Sequence, residues 1–278
     1  MAELSMNETT TFRWSFEEDV AQYAAAGIPA LGVWRQKVSD YGDAAAAAKL
    51  LADAKLKVSH LLWAGGFTGS DGRSFRASLD DAMDALRTAR QLGTHCLVVY
   101  SGARAGHTHN HARRLLRDAL RELSPASSEL GVSLAVEAMH PGCAAEFTFL
   151  TTVEDVLSLL AAVDSPQVKM VFDTYHLGLS EGLVARIPEL VPHIAIVQLG
   201  DMKSAPAGEQ NRCRLGDGIV PLKEIVAALA AAGYDGFYDV ELLGEEIESM
   251  DYHALLEHAK GAFRDLVLPA GPQPLATT

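Results

Sequence analysis

Residues 128–142 read SELGVSLAVEAMHPG, and the order of features in this stretch decides the fold. A helix-ending Gly131 is followed by the short apolar run VSLAV, which closes on a carboxylate, Glu137, and opens into a loop carrying His140. Glycine at the end of a helix takes the left-handed conformation at little steric cost. The run after it is nearly continuous in apolar residues rather than alternating, as in a parallel strand covered on its outer face by helices. The same figure recurs in AAAGIPALGV (24–33), RQLGTHCLVV (90–99) and AAAGYDGFYDV (230–240). Such alternation is the mark of βα units.

Working outward, candidate strands fall at Thr10–Arg13, Ile28–Val33, Lys57–Leu62, His95–Tyr100, Ser133–Glu137, Val168–Phe172, Ile194–Gln198 and Gly236–Glu241. Helical stretches follow them at Phe16–Ala26, Asp43–Ala54, Phe75–Leu92, Asn110–Leu130, Thr152–Ala162, Gly182–Leu190, Leu222–Ala232 and Asp251–Leu266. Eight such units in 278 residues predict an α/β protein built as a single closed (β/α)8 barrel. The pattern offers no second domain, so residues 1–278 read as one barrel domain. Its last segment, LPAGPQPLATT (268–278), is Pro-rich and aperiodic and is expected to be a flexible tail.

Nearly half the residues are hydrophobic but only 7% are aromatic, so the core is expected to be built mainly of Ala, Leu and Val. A formal charge of −13 argues against general binding to nucleic-acid backbones, which needs clustered Lys and Arg. Cys96, Cys143 and Cys213 are too few and too scattered for a disulfide framework or a four-thiolate zinc site. The polar, acid-bearing start lacks the pattern of a signal peptide, and no apolar run approaches the roughly 18 residues of a membrane span. A cytoplasmic protein without a membrane partner is expected.

In a β/α barrel the C-terminal ends of the strands floor the active site. Four consecutive strands end here on an oxygen ligand: SLAVE on Glu137, MVFD on Asp173, AIVQ on Gln198 and FYDVE on Glu241. Three carboxylates converging in one cavity repel one another and lose solvation, and a divalent cation relieves both penalties. An all-oxygen set favours Mn²⁺ or Mg²⁺ over thiolate-seeking Zn²⁺. His140 and His176, each three residues past one of these acids, are placed to reach a bound substrate; a loop histidine is otherwise a surface residue. The long segment GDMKSAPAGEQNRCRLGDGIVPL (200–222) carries Lys203, Arg212 and Arg214. A cation there binds a substrate oxygen or stabilises an enolate, or is merely solvated. Trp63 and Phe67, with Trp34, are candidates for the cavity wall or for packing. No GxSxG elbow or phosphate-binding loop is present.

The motifs VEAMHPG, FDTYHLG, RCRLGDG and AAGYDGFYDVEL resemble those of the xylose-isomerase-like TIM-barrel superfamily. That group includes sugar isomerases and epimerases, hydroxypyruvate isomerase, inosose and 3-dehydroshikimate dehydratases and a DNA-repair endonuclease branch. The resemblance spans essentially the whole chain and is strongest over residues 131–243. It implies metal ligands at Glu137, Asp173, Gln198 and Glu241, substrate contacts from His176 and Arg212, and an ExxHP histidine at His140. Gln198 departs from the histidine usual in the isomerases and matches the dehydroshikimate dehydratase branch. The endonuclease branch needs more strand-end histidines than this chain has.

The resemblance thus implies an isomerase or epimerase that uses one divalent ion on a small sugar-like hydroxy-carbonyl substrate through an enediolate. Glu137 and Glu241 would double as ligands and acid/base groups, His140 or His176 would relay protons, and Arg212 would hold the developing oxyanion. A metal-dependent lyase of the dehydratase type is the alternative, and a non-catalytic binding barrel a third reading. A homodimer through exposed barrel helices is the assembly such a fold allows.

Overall fold

The computed structural model describes residues 2–267, so the expected tail at 268–278 lies outside the described residues. Eight parallel strands close into a barrel in chain order: β1 (Glu3–Asn7), β2 (Ala30–Trp34), β3 (Lys57–Gly65), β4 (Cys96–Tyr100), β5 (Ser133–Val136), β6 (Val168–Asp173), β7 (Ile194–Leu199) and β8 (Phe237–Val240). Around it run α1 (Phe16–Ala25), α2 (Arg35–Tyr41), α3 (Ala44–Ala54), α4 (Phe75–Leu92), α5 (His109–Leu130), α6 (Val153–Val163), α7 (Thr174–Leu177), α8 (Leu183–Leu190), α9 (Leu222–Ala231), α10 (Glu245–Glu248) and α11 (Tyr252–Val267). The α/β barrel expected from the sequence is therefore the fold. Among the described residues no helix is long and apolar enough to cross a membrane.

Several helices start where short polar side chains accept their free N–H groups. Ser15 and Glu18 form a reciprocal capping box on α1, and Ser74, Thr108 and Thr152 cap α4, α5 and α6. At their other ends α4 and α5 stop at Gly93 and Gly131, both left-handed with φ of 80° and 66°.

One strand lies elsewhere than expected. Instead of Thr10–Arg13, β1 is Glu3–Asn7, paired with β2 on one side and β8 on the other. The β-branched threonines that suggested a strand are used in side-chain bonds: Thr10 Oγ1 donates to the Val240 carbonyl and Thr11 Oγ1 donates to Asp19. The true strand is disguised because Ser5 and Asn7 point into the barrel, where Ser5 Oγ and Asn7 Nδ2 donate to Asp239 at 2.6 and 2.8 Å. Helix α2, which lacks a polar N-cap, is likewise unsignalled. It buries Lys37, whose ammonium donates to the Glu8 and Thr11 carbonyls and to Asp19, giving a buried charge the partners it requires.

Ser5, Asn7, Ser59, His60 and Asp239 form a polar layer inside the barrel, all buried. Burial pushes the Asp239 carboxyl up to about 8 and the His60 imidazole down to about 3, so both are neutral at pH 7. Gly32 closes the layer: a Cβ there would lie 2.4 Å from the His60 ring. The unfolded chain protonates His60 near pH 6.5, whereas the folded one does so only near 3. The unfolded state therefore binds the extra proton between those values, and His60 makes stability fall as pH drops through that window. Urea unfolding at pH 7 and pH 5 is expected to show wild type losing about 2 kcal/mol more than His60→Gln over that interval. Equal losses would contradict the burial of a neutral His60.

Candidate metal centre

The four strand-end residues come together. Glu137 follows β5, Asp173 ends β6, Gln198 lies near the end of β7 and Glu241 follows β8, and all four are buried. Ligand atoms of Glu137, Asp173 and His176 lie within 4.8 Å of one another. Arg212 reaches into the same group: its Nη2 donates to Asp173 Oδ2 at 2.8 Å and lies 3.5 Å from Glu241 Oε2.

The loop after β7 is built to hold that guanidinium in place. Asp201, buried, accepts N–H bonds from Met202, Gly216, Gly218 and Val220. It thereby knits the two ends of the loop together. The Tyr175 ring lies 4.4 Å from the guanidinium, and the Tyr175 hydroxyl accepts the Asn211 N–H. Gly200 is required by close approach, since a Cβ there would meet Arg212 Nη1 at 2.5 Å. Nη1 donates to the Glu241 carbonyl and Nη2 also to Gln210 Oε1.

Charge at the site is unbalanced. With all three ionised, the buried carboxylates would face one guanidinium, a deficit of two positive charges that protonation or a cation must relieve. Burial, reinforced by Glu241 and Asp173, pushes the Glu137 carboxyl well above the usual carboxylate range. Burial likewise pushes Glu241 up to about 7 although Arg212 opposes it. Gln198 is fully buried and neither its oxygen nor its nitrogen has a hydrogen-bond partner, and Glu241 Oε2 is also without one. Unpaired buried polar atoms are costly. Glu137, Asp173 and His176 thus present a buried group of ligand atoms that could hold a metal ion, and Gln198 and Glu241 each keep a buried oxygen without a partner.

His176 sits on the short helix α7, which Asp173 itself caps by accepting the Tyr175 N–H at 2.7 Å. Its Nδ1 accepts the backbone N–H of His140 at 3.2 Å. Burial pushes the imidazole down to about 3, so it is neutral. A neutral ring that accepts at Nδ1 carries its proton on Nε2, and Nε2 points at the acids, 3.7 Å from Glu137 and 3.8 Å from Asp173. His176 thus turns Nε2 toward the acids, beyond hydrogen-bond distance of either, with Arg212 Nη2 at 3.5 Å.

Not all the candidate substrate contacts assemble. A cavity of about 450 Å³ opens onto Glu137, His176, Arg212 and Glu241, and Trp63 lines it. Phe67 does not; it is buried in the main hydrophobic core. Lys203 borders a separate cleft and pairs with Glu246. The His140 ring turns back onto its own loop, accepting the Gly142 N–H, and only its backbone serves His176. Met139, Tyr100, Phe147 and Leu243 line the cavity unannounced by the sequence. Asp201, an acid two residues past the end of β7, is a site residue that its place after a strand could have signalled.

The family model described as xylose isomerase-like TIM barrel matches residues 20–265. The chain belongs to that family. It is 27% identical over 244 residues to a putative hydroxypyruvate isomerase of Streptomyces coelicolor, covering 81% of this chain and 84% of that one. It is 31% identical over 158 residues to D-psicose 3-epimerase of Enterocloster bolteae, and spans 49% of that relative's length. An inosose dehydratase of Geobacillus thermodenitrificans matches at 28% over 46% of each chain. Among solved structures, a Sinorhizobium meliloti protein superposes with a TM-score of 0.87 at 26% identity, covering 95% of this chain and 98% of that one.

The four N–H bonds to Asp201 make it the anchor of the Arg212 loop in this family member. Asp201→Ala is expected to leave the barrel folded by circular dichroism while accelerating tryptic cleavage at Arg212 and Arg214 by at least roughly tenfold, because local opening is what a protease reads. Cleavage at the wild-type rate would show the loop to be held by other contacts.

Proposed function

We propose that the protein is a divalent-metal-dependent isomerase or epimerase acting on a small sugar-like hydroxy-carbonyl substrate. The observation that carries the reading is the charge deficit: Glu137 and Glu241 open onto a cavity of sugar size beside the Arg212 guanidinium, with the Asp173 carboxylate and the unpaired Gln198 amide buried behind them. Glu137, Asp173, Gln198 and Glu241 would hold the ion. When bound, a divalent ion polarises a carbonyl and acidifies the neighbouring C–H.

The chain's own groups supply the rest. Glu137 and Glu241 flank the cavity as buried carboxylates whose affinity for a proton is raised, as suits groups that take one from carbon and return it. Nε2–H of His176 donates to a substrate oxygen, and the Arg212 guanidinium stabilises the negative oxygen of the enediolate. Return of the proton to the other face of the same carbon gives epimerisation, and to the adjacent carbon isomerisation. The relatives named as epimerase and isomerase support this choice.

Gln198 favours a second reading, a lyase that expels a β-hydroxyl from the same enediolate, and the inosose dehydratase relative is consistent with it. Incubation with Mn²⁺ and candidate ketoses and inososes in D₂O distinguishes the two. The isomerase reading expects solvent deuterium on carbon in a ketose product, with kcat reduced at least roughly a hundredfold in Glu137→Gln. An elimination product with a new ultraviolet chromophore would favour the lyase, and neither product from any substrate would refute both.

A further inference from the structure

The cavity in front of the site has two kinds of wall. One is apolar and formed by Trp63, Tyr100, Met139, Phe147 and Leu243. Beyond the site residues, the polar remainder is Ser70, Asp71, Glu146 and Gln210, so its charges are negative. Partial burial works against the Asp71 carboxylate, but Arg73 outweighs it and holds the group below its usual range, leaving it ionised at neutral pH.

No cation is free to offset these acids. Among the described residues lining the cavity, Arg212 is the one guanidinium or ammonium, and it is committed to Asp173, Gln210 and the Glu241 carbonyl. Arg73 divides itself among Asp71, Asp81 and the Gly65 carbonyl. Lys203 lies on the other cleft, paired with Glu246.

Resting on the isomerase or epimerase reading, we infer that the substrate is an uncharged, unphosphorylated polyhydroxy carbonyl compound, and that Asp71 and Glu146 exclude anionic ones. A phosphate ester would be desolvated against Trp63, Met139 and Leu243 beside Glu146 and beside an Asp71 whose partner guanidinium, Arg73, is already shared with Asp81 and the Gly65 carbonyl. Hydroxyl groups, by contrast, donate well to carboxylates, and the C–H faces of a sugar pack on aromatic rings. The exclusion extends to substrates bearing a carboxylate, and so sets this chain's substrate apart from the hydroxypyruvate for which one relative is named. Within the lyase reading it admits a neutral inosose and rejects 3-dehydroshikimate.

Calorimetric titration of the protein carrying one equivalent of Mn²⁺ tests this with matched probes: D-fructose and D-psicose, each against its own 6-phosphate. At least one neutral sugar is expected to bind tenfold or more tightly than its phosphate. In an Asp71→Asn, Glu146→Gln double variant that ratio is expected to narrow at least threefold through better phosphate binding. Equal or tighter binding of the phosphates by wild type, an unchanged ratio in the variant, or no binding of either neutral sugar overturns the inference. Failure of the chemistry reads out separately: a neutral sugar that binds without deuterium entering its C–H bonds in D₂O sinks the isomerase reading and leaves the neutral cavity standing.

Discussion

Glu137, Asp173 and Glu241 are held at the ends of strands β5, β6 and β8, out of water, with one guanidinium among them. Folding alone would not collect these charges, since desolvation and mutual repulsion both oppose it. The elements around them are arranged to tolerate the repulsion. Asp173 uses one oxygen to cap α7 and the other to meet Arg212, while Glu137 and Glu241 answer it by holding protons more tightly. A divalent ion would supply the charge that Arg212 alone does not.

Two supports reach the site from opposite directions. From above, Asp201 ties the loop 201–220 to itself so that Arg212, stacked on Tyr175, arrives buried and fixed. From below, Ser5 and Asn7 hold Asp239 near the C-terminal end of β8, two residues before Glu241, and Asn7 Oδ1 accepts from Thr9, whose Oγ1 lies 3.5 Å from Glu241 Oε1. Burial, which pushes the Asp239 carboxyl up to about 8, favours its neutral form and works against a fourth charge beside the other three. His176 is oriented by a backbone N–H from the loop after β5, so the strand bearing Glu137 also sets the tautomer of the neighbouring histidine.

The barrel was legible because seven strands are apolar runs bounded by glycine and turn residues. β1 was not, since its inward face is polar and a polar strand looks like a loop until its partner on β8 is known. The strand-end acids were legible for the same reason: each ends an apolar run. The substrate wall was not. Phe67 and Lys203 follow or flank strands as Trp63 does, but one folds into the core and the other pairs across a different cleft. Loop side chains are placed by tertiary contacts, which periodicity does not encode. His140 shows the same limit, acting through its main chain where only its ring was considered.

Elemental analysis tests most directly whether a cation fills the charge deficit. Protein supplied with Mn²⁺ and freed of excess by gel filtration is predicted to retain about one ion per chain, and a folded Glu137→Gln, Asp173→Asn variant to retain none, because ligand loss weakens such sites severely. Wild type that is folded and retains no divalent metal, or a variant that retains as much as wild type, would contradict the account.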